Sequence, residues 1–117
     1  MNSSTLAMTY NNVGLIYCYL ENYEKSLENY NESLRLFIDT LPANYSSIAS
    51  TINNIANVYS DAGEYRKALE NYKESLRIKK ETLPANHSSI ATTLNNIGLI
   101  YDNLGNCKYI LCLIDCI

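Results

Sequence analysis

Tryptophan is absent and phenylalanine occurs once, so eleven tyrosines carry the aromatic packing of this 117-residue chain. There is one histidine, His87, and no Gly-rich phosphate loop, no Ser-His-Asp set and no HExxH run. That poverty argues against an enzyme. Net charge is only −3 and of mixed sign, without the basic stripe that nucleic acid binding requires. Nothing approaches the ~20 consecutive apolar residues of a membrane span, and Met1-Asn2-Ser3-Ser4-Thr5 lacks the basic start of a secretion signal. The four tripeptides of N-glycosylation type, at Asn2, Asn31, Asn44 and Asn86, are then chance matches in an Asn-rich chain. Cys18, Cys107, Cys112 and Cys116 are too unevenly placed for a disulfide framework, and reduced thiols in a cytoplasmic chain are expected. Cys112 and Cys116 stand four apart, but zinc needs about four ligands and these two lack a supporting set. No metal and no cofactor is expected.

What the chain does have is a period. The stretch Ser88-Ser89-Ile90-Ala91 through Asn95-Asn96-Ile97-Gly98 to Tyr101 has a counterpart 42 residues earlier, from Ser46 to Tyr59. A second counterpart lies 42 residues before that, from Ser4 to Tyr17. Residues 2–43 and 44–85 agree at about half of their positions. A fixed period of this kind marks a stacked array, whose units bury their apolar faces against one another. Within each unit two segments carry apolar residues at three- and four-residue spacing. Leu6, Tyr10, Val13 and Tyr17 mark helix A of the first unit; Tyr23, Leu27, Tyr30, Leu34 and Leu41 mark its helix B. The expected fold is all-α: a short array of helical hairpins, with units at 4–45, 46–87 and 88–117. The third holds helix A at 88–104 and an apolar tail at 107–117.

Gly63 suits the left-handed turn that ends the second helix A, and Asn22 is expected to take that role in the first unit. Pro42 and Pro84 should stop the B helices. Asn44 or Ser46, and Asn86 or Ser88, are placed to cap the following A helices. Gly14, Ala56 and Gly98, with Ser26 and Ala68 in helix B, supply small side chains where paired helices cross. Glu24, Glu28 and Glu32 lie on one solvated face.

The run Leu94-Asn95-Asn96-Ile97-Gly98-Leu99-Ile100-Tyr101, followed by Leu104-Gly105, resembles the tetratricopeptide repeat. The bulky Leu94, the apolar and small pair Ile97-Gly98 and the aromatic Tyr101 carry that likeness. The 42-residue unit is similar to the long repeats of kinesin light chains, which typically have Gly where Pro84 stands and Pro where Ser88 stands. This resemblance covers residues 4 to about 106. It implies a right-handed α-solenoid whose concave groove, lined by A helices, binds extended peptides of partner proteins without catalysis.

Helical geometry, at 100° per residue, puts Tyr10, Val13, Gly14 and Tyr17 in one arc, the packed face. Asn11, Asn12 and Leu15 lie across the helix from it, with Met8 and Tyr19. Their counterparts are Asn53, Asn54 and Asn57, then Asn95, Asn96 and Leu99. These nine positions are the candidate groove. An amide offers two donors and an acceptor, so an Asn ladder can pair with a peptide backbone whatever its side chains. Alternatively, one Asn of each pair bonds the neighbouring repeat and serves only the fold. Beside the ladder stand Cys18-Tyr19, Ser60-Asp61 and Asp102-Asn103, without a basic residue; this suits a neutral or mildly basic peptide with an aromatic anchor. Two rival functions stand beside the scaffold. One is self-association through the apolar tail 107–117, in which Ile110 replaces a small crossing residue. The other is a regulatory repeat fragment of a larger signalling protein or enzyme.

Overall fold

A computed structural model describes residues 2–40, 42 and 44–105. Five α-helices follow in order: α1 (Ser3–Tyr19), α2 (Tyr23–Asp39), α3 (Tyr45–Asp61), α4 (Tyr65–Thr82) and α5 (Ser88–Asn103). Among the described residues there is no strand. Three-residue connections return α2 against α1 and α4 against α3, which forces each pair to run antiparallel. The short dimension of the molecule, 19 Å, equals about two helix diameters.

The register of 42 reappears in the packing. Tyr30 and Tyr72 are the buried rings of α2 and α4. A Cβ placed on Gly14 would stand 2.9 Å from the Tyr30 ring, so that crossing needs glycine as built. Ala56, fully buried, packs in one cluster with Tyr72, Ala68, Ile97, Ile100 and Tyr101. A second cluster joins the hairpins, bringing Ala7, Leu36 and Phe37 against Ile48, Ile52 and Ile78. A Cβ added at Gly98 would meet nothing within 4 Å among the described residues, and the tail positions that would oppose it in this register, including Ile110, lie outside them.

Two buried serines add a feature that periodicity did not disclose. Ser33 Oγ donates to the Ala7 carbonyl at 2.7 Å, and its counterpart Ser75 Oγ donates to Ala49 at 2.8 Å. Ser26 Oγ also reaches a helix A carbonyl, that of Gly14, at 2.7 Å. Each fixes the height of helix B on helix A. On the outer face, Arg35 pairs with Glu32 and Asp39, and Arg77 with Glu74 and Glu81. These pairs are solvent-exposed and screened, so they add little to the fold.

The helix ends correct two expectations. Glu21, not Asn22, takes the left-handed conformation (φ 60°), matching Gly63 (φ 80°) one period later. The Glu21 and Asn22 N–H groups donate to Cys18 and Tyr17, and those of Gly63 and Glu64 to Ser60 and Tyr59, the same double closure in both units. Asn22 instead caps α2, its side chain accepting from the Lys25 N–H at 3.3 Å. Asn44 caps α3 as expected, accepting from Ser47 N–H at 3.1 Å. The α5 cap is neither Asn86 nor Ser88: His87 Nδ1 accepts from the Ser89 N–H at 3.0 Å. Before Pro84, Leu83 is extended, as the proline ring demands.

A left-handed side-chain residue is strained where glycine is not. Glu21→Gly is therefore expected to raise the unfolding free energy by about 0.5–1 kcal/mol, after glycine's own entropic cost. Urea denaturation checks this, and an unchanged or lowered midpoint would contradict the assignment of strain to Glu21.

Candidate functional site

The face formed by α1, α3 and α5 carries all nine candidate positions. Leu15 and Leu99 are exposed, Asn12 and Asn95 are exposed, and Asn11, Asn53, Asn54, Asn57 and Asn96 are half-buried. Two crevices open between α1 and α3. One, of about 140 Å³, is lined by Met8, Asn11, Asn12, Ser47 and Ser50, with Phe37 of α2 at its base. The other, of about 260 Å³, is lined by Leu15, Tyr19, Asn54, Asn57 and Asp61, over the rings of Tyr30 and Tyr72. B-helix side chains thus floor crevices whose walls are A-helix side chains.

The asparagines divide into two groups. Asn54 Nδ2 donates to Asn11 Oδ1 at 3.2 Å, tying α3 to α1. The single Thr93 hydroxyl proton has two acceptors in reach, Asn53 Oδ1 of α3 at 3.3 Å and the Ser89 carbonyl of its own helix at 3.2 Å. Asn57 Oδ1 accepts from the Tyr72 hydroxyl. Part of the ladder therefore holds neighbouring helices in register. Among the described residues no side-chain hydrogen bond engages Asn12, Asn95 or Asn96.

Electrostatics differ from one end of the face to the other. In the larger crevice Cys18 Sγ donates to Asp61 Oδ2 at 3.4 Å. Burial, reinforced by the Asp61 carboxylate, pushes the Cys18 thiol up to about 11, so it stays protonated at neutral pH. Burial also pushes the Tyr30 and Tyr72 hydroxyls up to about 12.

Next to α5 the arrangement contains a residue that A-helix positions alone did not point to. Lys79 of α4 is only 7% exposed, and its Nζ donates to Thr93 Oγ1 at 2.7 Å and to the Ser89 carbonyl at 3.5 Å. It stands 42 residues after Phe37, the base of the smaller crevice. A comparison of equivalent B-helix positions would have found it. Among the described residues no group of three or more His, Cys, Asp or Glu side chains is arranged to hold a metal, and no helix is long and apolar enough to cross a membrane.

A family model described as tetratricopeptide repeat matches residues 5–81 and 47–108. No curated protein matches the chain. Among solved structures, the crystal structure of BtubC (BKLC) from P. vanneervenii is similar in fold, with a TM-score of 0.79 at 22% sequence identity. That alignment covers 93% of this chain and 44% of the other, so this chain spans less than half of that protein's length.

Proposed function

The chain belongs to the tetratricopeptide repeat family, and we propose that it is a non-catalytic scaffold holding an extended segment of a partner protein. Repeats of this family generally mediate protein–protein interaction. The proposed seat is the face of α1, α3 and α5, in an array of long units at 4–45, 46–87 and 88–117 similar to those of kinesin light chains. The observation that carries this reading is the division of the asparagines. Asn11, Asn53, Asn54 and Asn57 are joined to neighbouring elements, while Asn12, Asn95 and Asn96 carry no such bond. A half-buried amide such as Asn96 with nothing to bond is well placed to recognise a peptide backbone. Exposed Met8, Leu15, Tyr19 and Leu99 supply apolar contact beside it. A cytoplasmic location fits the thiols and is part of the same proposal. The rival of self-association through 107–117 concerns residues outside the described part of the chain.

Selection of a random peptide display library on the immobilised full chain tests the reading. Asn12→Ala/Asn96→Ala leaves every inter-helix bond named above intact. Peptides recovered on the unaltered chain are expected to lose about tenfold or more in affinity for the variant, the worth of one or two hydrogen bonds. Equal binding to both proteins would place recognition elsewhere.

A further inference from the structure

The larger crevice between α1 and α3 is charged with one sign only. Leu15 and Tyr19, near the end of α1, face Asn54, Asn57 and Asp61, near the end of α3. The smaller crevice takes earlier turns of the same two helices, so α1 and α3 run in one direction. The negative ends of two helix dipoles therefore meet at the larger crevice. Neither helix carries a basic residue in its last turn.

Asp61 adds a full negative charge at the mouth. Among the described residues no salt bridge reaches it, and its one hydrogen-bond partner is the Cys18 thiol on Oδ2. A carboxylate has room for about four donors, so most of its capacity is unused. The lysines that follow these helix ends lie over rings instead. Lys25 Nζ is 5.7 Å from the centre of Tyr17, and Lys67 Nζ is 5.6 Å from that of Tyr59. The floor supplies an independent sign. Tyr30 is 1% exposed, yet among the described residues its hydroxyl has no hydrogen-bond partner. No fully buried side-chain nitrogen or oxygen lacks a partner there, so that hydroxyl opens into the crevice it floors. A tyrosine hydroxyl at such depth normally has a partner, and this one awaits it. Tyr72 spends its proton on Asn57 and keeps its lone pairs.

Resting on the groove reading above, we infer that this crevice is a subsite for a cationic side chain, arginine or lysine, of the bound peptide. Asp61 is the counter-ion, and the Tyr30 and Tyr72 hydroxyl oxygens accept from the cationic head. Tyr19, 78% exposed at the edge, offers its ring face to the same cation. The subsite also fixes a register. Asp61 stands where the first unit has Tyr19 and the third has Asn103, so α3 alone of the three A helices carries a carboxylate at this position. One basic residue of the peptide, not a basic run, is therefore selected.

Two measurements on the full chain test this. In the first, N-acetyl-arginine amide, N-acetyl-lysine amide and N-acetyl-citrulline amide are titrated in while backbone amide signals are followed by NMR. Citrulline keeps the shape of arginine without its charge. Tyr19, Ser60 and Asp61 should shift saturably with the cations and not with citrulline; the tighter cation names the preferred head group. Asp61→Asn should weaken binding about tenfold, the size of one hydrogen bond to a charged group. Tyr30→Phe, which keeps the ring against Gly14, should weaken it less. Equal shifts with citrulline, or shifts no larger than those around the exposed Glu28, would overturn the subsite. In the second, display-selected peptides from the unaltered chain and from Asp61→Asn are sequenced. Arg or Lys should be enriched about tenfold at one position on the former only. Enrichment that persists on Asp61→Asn, or is absent on both, contradicts the assignment to Asp61. Failure of the groove reading has a different signature, namely peptide binding indifferent to Asn12→Ala/Asn96→Ala.

Discussion

Tyr72→Ala should lower the unfolding free energy by about 3–5 kcal/mol, the range for deleting a buried ring. The ring is 3% exposed and touches the cluster that joins α3, α4 and α5, so its loss opens a cavity between three helices. Its hydroxyl also leaves Asn57 without a donor. An exposed substitution such as Glu70→Ala should stay within about 0.5 kcal/mol. A small domain has only about 5–15 kcal/mol in all, so this one replacement removes much of it. Urea unfolding followed by helical circular dichroism measures the difference. An unmoved midpoint would contradict the packing described for the hairpins.

Alkaline pH should unfold the protein through the same two rings. The hydroxyls of Tyr30 and Tyr72 are held at about 12 by burial, against about 10 for a free tyrosine. The folded chain thus keeps these protons more tightly than the unfolded chain does. Their stabilisation is complete below pH 10 and is lost as pH rises through about 12. Because both rings contribute, the loss is cumulative over that range. The Cys18 thiol adds to it in the same direction, between its ordinary range and about 11. Absorbance of tyrosinate and helical circular dichroism, recorded together against pH, follow both events. Tyr30 and Tyr72 should ionise only as helicity is lost. Tyr72→Phe should move unfolding to higher pH. Ionisation of Tyr30 and Tyr72 near pH 10, with helicity unchanged, would contradict this account.

The helical hairpins were legible in the sequence because the signal is periodic twice over, at 3.6 residues within a helix and at 42 between units. Tyr30 and Tyr72 stand in the predicted stripes, and Gly14 meets the ring that its position implied. What escaped was determined by register or by tertiary neighbours. Glu21 is left-handed because it occupies the place of Gly63, although Asn22 is the residue type more tolerant of that conformation. His87 caps α5 in preference to Asn86 and Ser88, since its imidazole nitrogen reaches the Ser89 N–H. Ser33 and Ser75 read as ordinary polar residues until the opposite carbonyls are in view.

For the groove, helical geometry placed the asparagines on one face but said nothing of which amides the fold itself consumes. That depended on the distance from Asn54 to Asn11 and from Thr93 to Asn53. Lys79 was hidden for a simpler reason. Candidate positions were sought on the A helices, while the equivalent B-helix positions Phe37 and Lys79 exchange a ring for a charge.

The central claim is that the face of α1, α3 and α5 receives a peptide through its unspent amides. Side-chain NH₂ signals of the asparagines, observed by NMR during titration with a display-selected peptide, test it most directly. Asn12, Asn95 and Asn96 should shift and gain protection from solvent exchange, while Asn29 and Asn71, bonded to their own helices on the B side, stay still. Shifts confined to Asn29 and Asn71, with the three groove amides unmoved, would contradict the claim.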